Sequence, residues 1–244
     1  MNTLKDKVVL VIGGGSGIGL GVGVAFAREG CRVILAARTE ATLTAAKELP
    51  EVGALFSTKR CDATNRAEIA ELLAWVNETA GPVDILVYSA GGNVPKRTFA
   101  DIKPEDFDHV MNVNATGAFN SMHAVLPSMR ARKTGLIINI VSIAGLQTLQ
   151  LAGVPYSASK CAQGAIGTFA NLEGLPDGVR VTNIYPGETE TAILDKRPVP
   201  PTAEQRARML QPEDVADLVL AVAKLPPRAT VPEIVITPRH MPLL

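Results

Sequence analysis

The chain has 244 residues, 47% of them hydrophobic and 20% charged, and its 24 Lys and Arg balance its 24 Asp and Glu. Such a composition builds a folded domain with a sizeable core, and zero net charge excludes the basic footprint of a nucleic-acid or anionic-membrane partner. No apolar run reaches the ~18 residues of a membrane span, and Lys5, Asp6 and Lys7 stand where a signal peptide would be apolar, so a cytoplasmic location is expected.

Short runs rich in β-branched residues recur along the chain: Lys7–Ile12, Arg32–Ala36, Asp84–Tyr88, Leu136–Val141 and Val179–Ile184. Between them lie helix-length stretches, namely the run after Gly17, Asn65 to Thr79, Glu105 to about Arg132, and Tyr156 to about Leu172. Strands that are apolar without alternating are covered on both faces, so the pattern predicts a Rossmann-type, doubly wound parallel α/β sheet of about seven strands between two helical layers. Two stretches break the rhythm. The Pro-rich, charged segment after Lys196 makes residues 188–211 a candidate lid, and the prolines from Pro226 to Pro242 bracket a short edge strand at Glu233–Thr237. With no repeat or flexible linker, residues 1–244 are expected to form a single domain. Cys31, Cys61 and Cys161 lack disulfide or zinc spacing and are expected to be reduced and buried, and His109, His123 and His240 are too scattered to suggest a metal site.

The first strand runs directly into Gly13-Gly14-Gly15-Ser16-Gly17-Ile18-Gly19 and then into a helix. A strand–glycine loop–helix sequence can bring backbone N–H groups to a pyrophosphate at the helix N-terminus, because glycine accepts positive φ and adds no side chain at the approach. About 20 residues further on, the end of the second strand is where an NAD-binding chain places an acid on the ribose 2′-hydroxyl. Here the sequence reads Ala36-Ala37-Arg38-Thr39, and the Arg38 guanidinium suits a 2′-phosphate. NADP(H) is therefore favoured, with NAD(H) left open.

Tyr156-Ser157-Ala158-Ser159-Lys160 opens a helical run, and the i,i+4 spacing sets Tyr156 and Lys160 on one face. An unperturbed phenol, with pKa near ~10, is a poor base at neutral pH, but a neighbouring ammonium favours its ionised form. Tyr156 could then accept an alcohol proton or give one to a carbonyl oxygen.

With these motifs taken together, the chain resembles the short-chain dehydrogenase/reductase family over essentially its whole length. The ordered matches are Gly13, Gly17 and Gly19; Asp62; Ala90-Gly91; Asn114; Ser142; Tyr156 and Lys160; and Pro186-Gly187. The resemblance implies that Ser142 orients the substrate oxygen, that Tyr156 is the general acid or base, and that Lys160 lowers the phenol pKa and binds the nicotinamide ribose. It implies that Asn114 bends its helix and holds a water leading from Lys160 toward solvent. It implies cofactor contacts from Gly13, Gly15, Ser16, Gly17, Ile18, Gly19, Arg38, Asp62, Ala63, Ala90, Gly91, Pro186, Gly187, Thr189 and Thr191, alongside Tyr156 and Lys160. No metal site is implied. Two departures, Ile12 for the usual Thr and Tyr88-Ser89 for the usual Asn-Asn, are expected to weaken sheet support before they touch the chemistry.

The expected reaction is NADP(H)-dependent interconversion of a carbonyl and a secondary alcohol. The alternative is a catalytically silent NADP(H)-binding regulator or redox sensor on the same fold. The substrate is a small carbonyl or alcohol compound in a largely aliphatic pocket containing Asn93, Ile143, Leu146, Gln147, Leu149, Leu151, Val154 and Tyr185. Lys96 and Arg97 are read as solvated loop cations, with a carboxylate contact as the alternative. A homodimer or homotetramer is expected through the Glu105–Arg132 and Tyr156 helices, with Ala158, Ala162, Ala165 and Gly167 permitting close approach.

Overall fold

The computed structural model describes residues 3–241. Seven parallel strands form one sheet in the order β3-β2-β1-β4-β5-β6-β7. They are β1 Val8–Ile12, β2 Arg32–Ala37, β3 Phe56–Arg60, β4 Ile85–Tyr88, β5 Gly135–Ile140, β6 Val179–Pro186 and β7 Glu233–Ile236. The helices are α1 Gly17–Arg28, α2 Glu40–Lys47, α3 Arg66–Thr79, α4 Pro104–Met111, α5 Gly117–Ala131, α6 Val154–Gly174, α7 Ala203–Arg206 and α8 Pro212–Ala223. Among the described residues, no helix is long and apolar enough to cross a membrane.

Every residue of β1 is buried, and the period of two sorts its side chains between two cores. Val9 and Val11 join Phe26, Leu35, Val215 and Val219 on the face covered by α1, α2 and α8. Val8, Leu10 and Ile12 join Leu72, Met122 and Met129 on the face covered by α3 and α5. The strand order reverses where β1 lies between β2 and β4, and the carboxyl ends of strands at such a switch point form a crevice for ligands.

Several elements differ from the sequence reading. The strand β3 and helices α2 and α8 were not picked out; β3 runs outside the apolar pattern because Lys59 and Arg60 face solvent at the sheet edge. The long helix expected from Glu105 to Arg132 is interrupted by a π turn at Asn112–Thr116. Tyr88 explains how that turn is held: its hydroxyl, fully buried, donates to the Val113 carbonyl. The departure from Asn at this position thus supplies a tie to the Asn114 turn rather than a loss of support. The edge strand ends one residue early, at Ile236, and Pro242 lies outside the described residues. Cys31 and Cys61 are buried, but Cys161 is exposed, because the adjoining Lys160 occupies the inward position on α6. Gly167 also faces inward; a Cβ there would lie 2.0 Å from Asn183 Oδ1, so its smallness serves the sheet and not a partner helix.

Candidate active site

The glycine loop leaves β1 at the switch point. Gly13 has φ +86°, and a Cβ there would fall 2.4 Å from the Ala90 backbone nitrogen. A Cβ on Gly19 would meet the Gly13 carbonyl at 2.2 Å. These two glycines are therefore required by the chain's own packing, which locks the loop after β1 onto the loop after β4. Gly15, Ser16, Gly17 and Ile18 remain at the start of α1, where Ser16 makes no capping bond and no acidic side chain occupies the first turn. Uncapped N–H groups at a helix N-terminus suit an anion.

Arg38 is exposed just beyond β2, and Asp62 is half-buried beyond β3. Asp62 Oδ1 accepts from the Thr64 backbone at 2.9 Å and the Thr64 hydroxyl at 2.8 Å. Burial pushes the Asp62 carboxyl upward, but these bonds and the Arg38 and Arg60 guanidinia outweigh it and hold its pKa below the ordinary value. Asn65 caps α3, its side chain accepting from the Ala67 and Glu68 backbone. Ala63 is buried, and its carbonyl accepts from Asn120 Nδ2 at 3.1 Å.

A cavity of about 160 Å³ opens over the ends of β5 and β6. Ser142 and Tyr156 lie on its wall, together with Ile18, Pro186, Gly187, Thr189 and Thr191. Ser142 sits two residues past β5, where its hydroxyl accepts from the Ala144 backbone N–H at 3.2 Å. Burial pushes the Tyr156 phenol up; the Ser142 hydroxyl bonded to it and the Arg197 and Arg97 guanidinia pull the other way without reversing the shift. Two guanidinia on the cavity wall, Arg197 and Arg97, thus act on this phenol.

Lys160 is 3% exposed, and Nζ lies 5.6 Å from the centre of the Tyr156 ring. Burial lowers its pKa to about 7. Its Nζ donates to Gln163 Oε1 at 2.7 Å and to the Ile140 carbonyl at 3.2 Å, which leaves one ammonium donor toward the site. Gln163 is a residue the sequence reading missed. Its Nε2 donates to Asn139 Oδ1 at 2.7 Å and to Ile140 O at 3.0 Å, and Asn139 Nδ2 reaches Asn183 Oδ1 at 2.8 Å. The signal was available: Gln163 is three residues after Lys160 on the same helix face, and Asn139 interrupts an apolar strand.

Asn114 lies in the π turn. Its Nδ2 donates to Gly92 O at 3.0 Å and Ser159 Oγ at 2.9 Å, while Oδ1 accepts from Gly92 N at 2.8 Å. A side-chain carbon on Gly91 would lie 3.4 Å from Asn114 Oδ1 and 3.5 Å from Lys160 Nζ, so this glycine keeps one atom-sized gap open to both groups.

Of the expected pocket residues, Asn93, Ile143, Leu149 and Leu151 line the cavity. Leu146 is 46% exposed and turned away from it. Gln147 and Val154 are not on the wall either, and Tyr185 lies behind α6 with its hydroxyl donating to Glu233 at 3.1 Å. The 188–211 segment folds against the mouth. It is stitched at its ends by Leu210 N to Glu188 O at 3.0 Å and Glu190 N to Leu210 O at 2.8 Å, and it presents Ile193, Leu194 and Arg197 to the cavity.

A parallel sheet with its glycine loop at the switch point, and a hydroxyl, a phenol and a buried lysine around one cavity, define a dinucleotide-binding oxidoreductase. The short chain dehydrogenase family matches residues 7–199, and the chain belongs to that family. It is 34% identical over 239 residues to an oxidoreductase of Staphylococcus aureus, covering 98% of this chain and 100% of the other. It is 36% identical over 246 residues to the glycine betaine reductase ATRR of Emericella nidulans; that match takes 98% of this chain but spans only 19% of the relative. Among solved structures, the closed form of a serine dehydrogenase complexed with NADP+ superposes with a TM-score of 0.88 at 30% identity, covering 97% of this chain and 96% of that one.

Proposed function

We propose that this oxidoreductase binds NADP(H) and interconverts a small carbonyl compound and its secondary alcohol, with Tyr156 as general acid or base. The observation that carries this reading is the meeting of Ser142 and Tyr156 on one cavity wall with Lys160 buried a turn behind. The site fits the dinucleotide: uncapped N–H groups at α1 for the phosphates, Arg38 and Asp62 at the adenosine end, and Pro186, Gly187, Thr189 and Thr191 beside the reacting end. The NADP+ complex of the serine dehydrogenase supports the choice of cofactor. The relatives' names point to chemically unlike substrates, so they do not select one.

When bound, NADPH supplies the hydride that the carbonyl carbon receives. Ser142 donates a hydrogen bond to the carbonyl oxygen and holds it beside the phenol. Tyr156, kept protonated by its raised pKa, gives its Oη proton to that oxygen as the C=O π bond breaks. Lys160 holds a proton close to neutrality and returns one to the phenolate. The gap beside Gly91, flanked by Asn114 Oδ1 and Lys160 Nζ, gives the relay its way to solvent. Oxidation runs these steps backward. We further read residues 1–244 as one domain in which 188–211 serves as the lid. The test is NADPH and NADH oxidation across a panel of ketones, aldehydes and oxo acids; absence of turnover throughout, with tight NADPH binding, would favour the silent regulator.

Arg38 is assigned to the 2′-phosphate. Charge-assisted hydrogen bonds of about 1.5–3 kcal/mol predict a ~10- to 100-fold preference for NADPH, reversed in Arg38→Asp by repulsion of the phosphate. Fluorescence titration with both cofactors measures it, and equal affinities in the parent protein would remove the assignment. For the assembly, Phe119 on α5 and Phe169 and Leu172 on α6 are 43%, 64% and 60% exposed, an apolar face that a second copy would bury in a homodimer or homotetramer. Light scattering is expected to return a multiple of 25.7 kDa; a monomeric mass at micromolar concentration refutes it.

A further inference from the structure

Arg97, expected in solvent, is 6% exposed, while neighbouring Lys96 remains outside. The backbone around the start of α6 makes room for it. Gly153, with φ +77°, has no side chain where a Cβ would fall 2.5 Å from Arg97 Cγ, and Val154 N donates to Arg97 O at 3.0 Å. Among the described residues the guanidinium donates only to two backbone carbonyls, from Nη1 to Leu151 O at 3.2 Å and from Nη2 to Lys196 O at 2.6 Å. Nε is buried without any partner.

No carboxylate neutralises this cation among the described residues. Glu188, the acid on the same cavity wall, is engaged by Arg197 at 2.9 Å and by His240 at 3.1 Å. The charged and titratable groups that face Arg97 are Arg197 and the Tyr156 phenol. The cavity therefore holds two guanidinia against one carboxylate, beside the aliphatic side chains of Leu149, Leu151 and Leu194. A buried guanidinium left unpaired is costly, and such a group usually ends paired and hydrogen-bonded.

We propose that Arg97 binds the substrate's carboxylate, so that the substrate is a small oxo acid, or the matching hydroxy acid, whose reacting oxygen sits at Ser142 and Tyr156. The identification of the reacting oxygen rests on the carbonyl–alcohol reading above; the anion site rests on Arg97 alone. The volume agrees with a small acid. About 160 Å³ is close to the ~150 Å³ of a cavity that accommodates benzene, and the nicotinamide side shares this space. Arg supplies the planar fork that a carboxylate matches, with one N–H on each terminal nitrogen still uncommitted.

The experiment uses the full chain with NADPH and compares pyruvate, acetoacetate and levulinate with their methyl esters. The best acid is expected to exceed its ester by about 100-fold in kcat/KM, the scale of a charge-assisted pair. Arg97→Met should erase that preference by lowering the acid's kcat/KM about 100-fold while the ester moves by only a few-fold. Arg97→Lys breaks the same ties to Leu151 and Lys196 yet keeps the charge, and it should retain part of the acid preference. If Arg97 only tethers the lid, both variants lower acid and ester alike, and the proposal is overturned. Calorimetric titration of the NADPH complex with butyrate and butyramide reads the anion site without turnover. Butyrate binding by the parent and not by Arg97→Met upholds the site even where no carbonyl is reduced, which overturns the reductase reading instead. Turnover of neutral ketones with no acid preference and no butyrate binding overturns the Arg97 proposal and leaves the reductase reading in place.

Discussion

Replacing Tyr156 with Phe is expected to lower kcat by about 10³-fold while changing NADPH affinity only a few-fold. The substitution removes one oxygen and keeps the ring, so the packing around the start of α6 survives. The Ser142 hydroxyl still accepts from Ala144 N, so it keeps a partner when the phenol oxygen is gone. What disappears is the proposed proton donor itself. Burial holds the phenol above its ordinary pKa, so on the proposed reading Tyr156 enters reduction as the proton donor. Lys160 does not substitute, because it is absent from the cavity wall and its Nζ stands 5.6 Å from the centre of the ring. Single-turnover rates, read beside cofactor titration, separate the chemical step from binding. An unchanged rate in Tyr156→Phe would place the proton transfer elsewhere.

The sheet was legible because its central strands are covered on both faces and so read as unbroken apolar runs; β3 escaped because an edge strand carries Lys59 and Arg60 with no second layer over them. The site was legible to the extent that its chemistry follows local spacing. Tyr156 and Lys160 share a helix face by the i,i+4 rule, and the loop from Gly13 to Gly19 follows directly from β1. The purpose of each glycine was less legible. Gly13 and Gly19 are glycine because two loops touch there, a tertiary fact that looks identical in sequence to a ligand requirement. Arg97 shows the same limit more sharply. Its burial depends on Gly153, on the Leu151 carbonyl and on Lys196 in the folded-over segment, three positions remote in sequence, so nothing in the run Asn93 to Thr98 distinguishes it from Lys96.

Lys160→Met is expected to lower kcat at least about 100-fold and yet to leave the protein as stable as, or more stable than, its parent at pH 7. An isolated lysine side chain titrates at 10.5, and burial brings Lys160 to about 7. Between those two values the unfolded chain binds more protons at this position than the folded one. By linkage this group therefore makes stability rise with pH from about 7 to 10.5, and below about 7 it imposes its full cost. Methionine keeps much of the volume and removes the titration. The gain at neutral pH is on the order of 1–3 kcal/mol, reduced by leaving Gln163 Oε1 without its donor. Ile140 O is not stranded, because Gln163 Nε2 still reaches it at 3.0 Å. The sharper readout is the slope: urea unfolding followed across that pH window should lose up to about 1.4 kcal/mol per pH unit of dependence in the variant. Parallel pH profiles for parent and variant would mean that Lys160 stays charged in the folded protein. The ammonium would then be held by something other than the Gln163–Asn139–Asn183 chain, and the proton that Tyr156 recovers would have to come from another source.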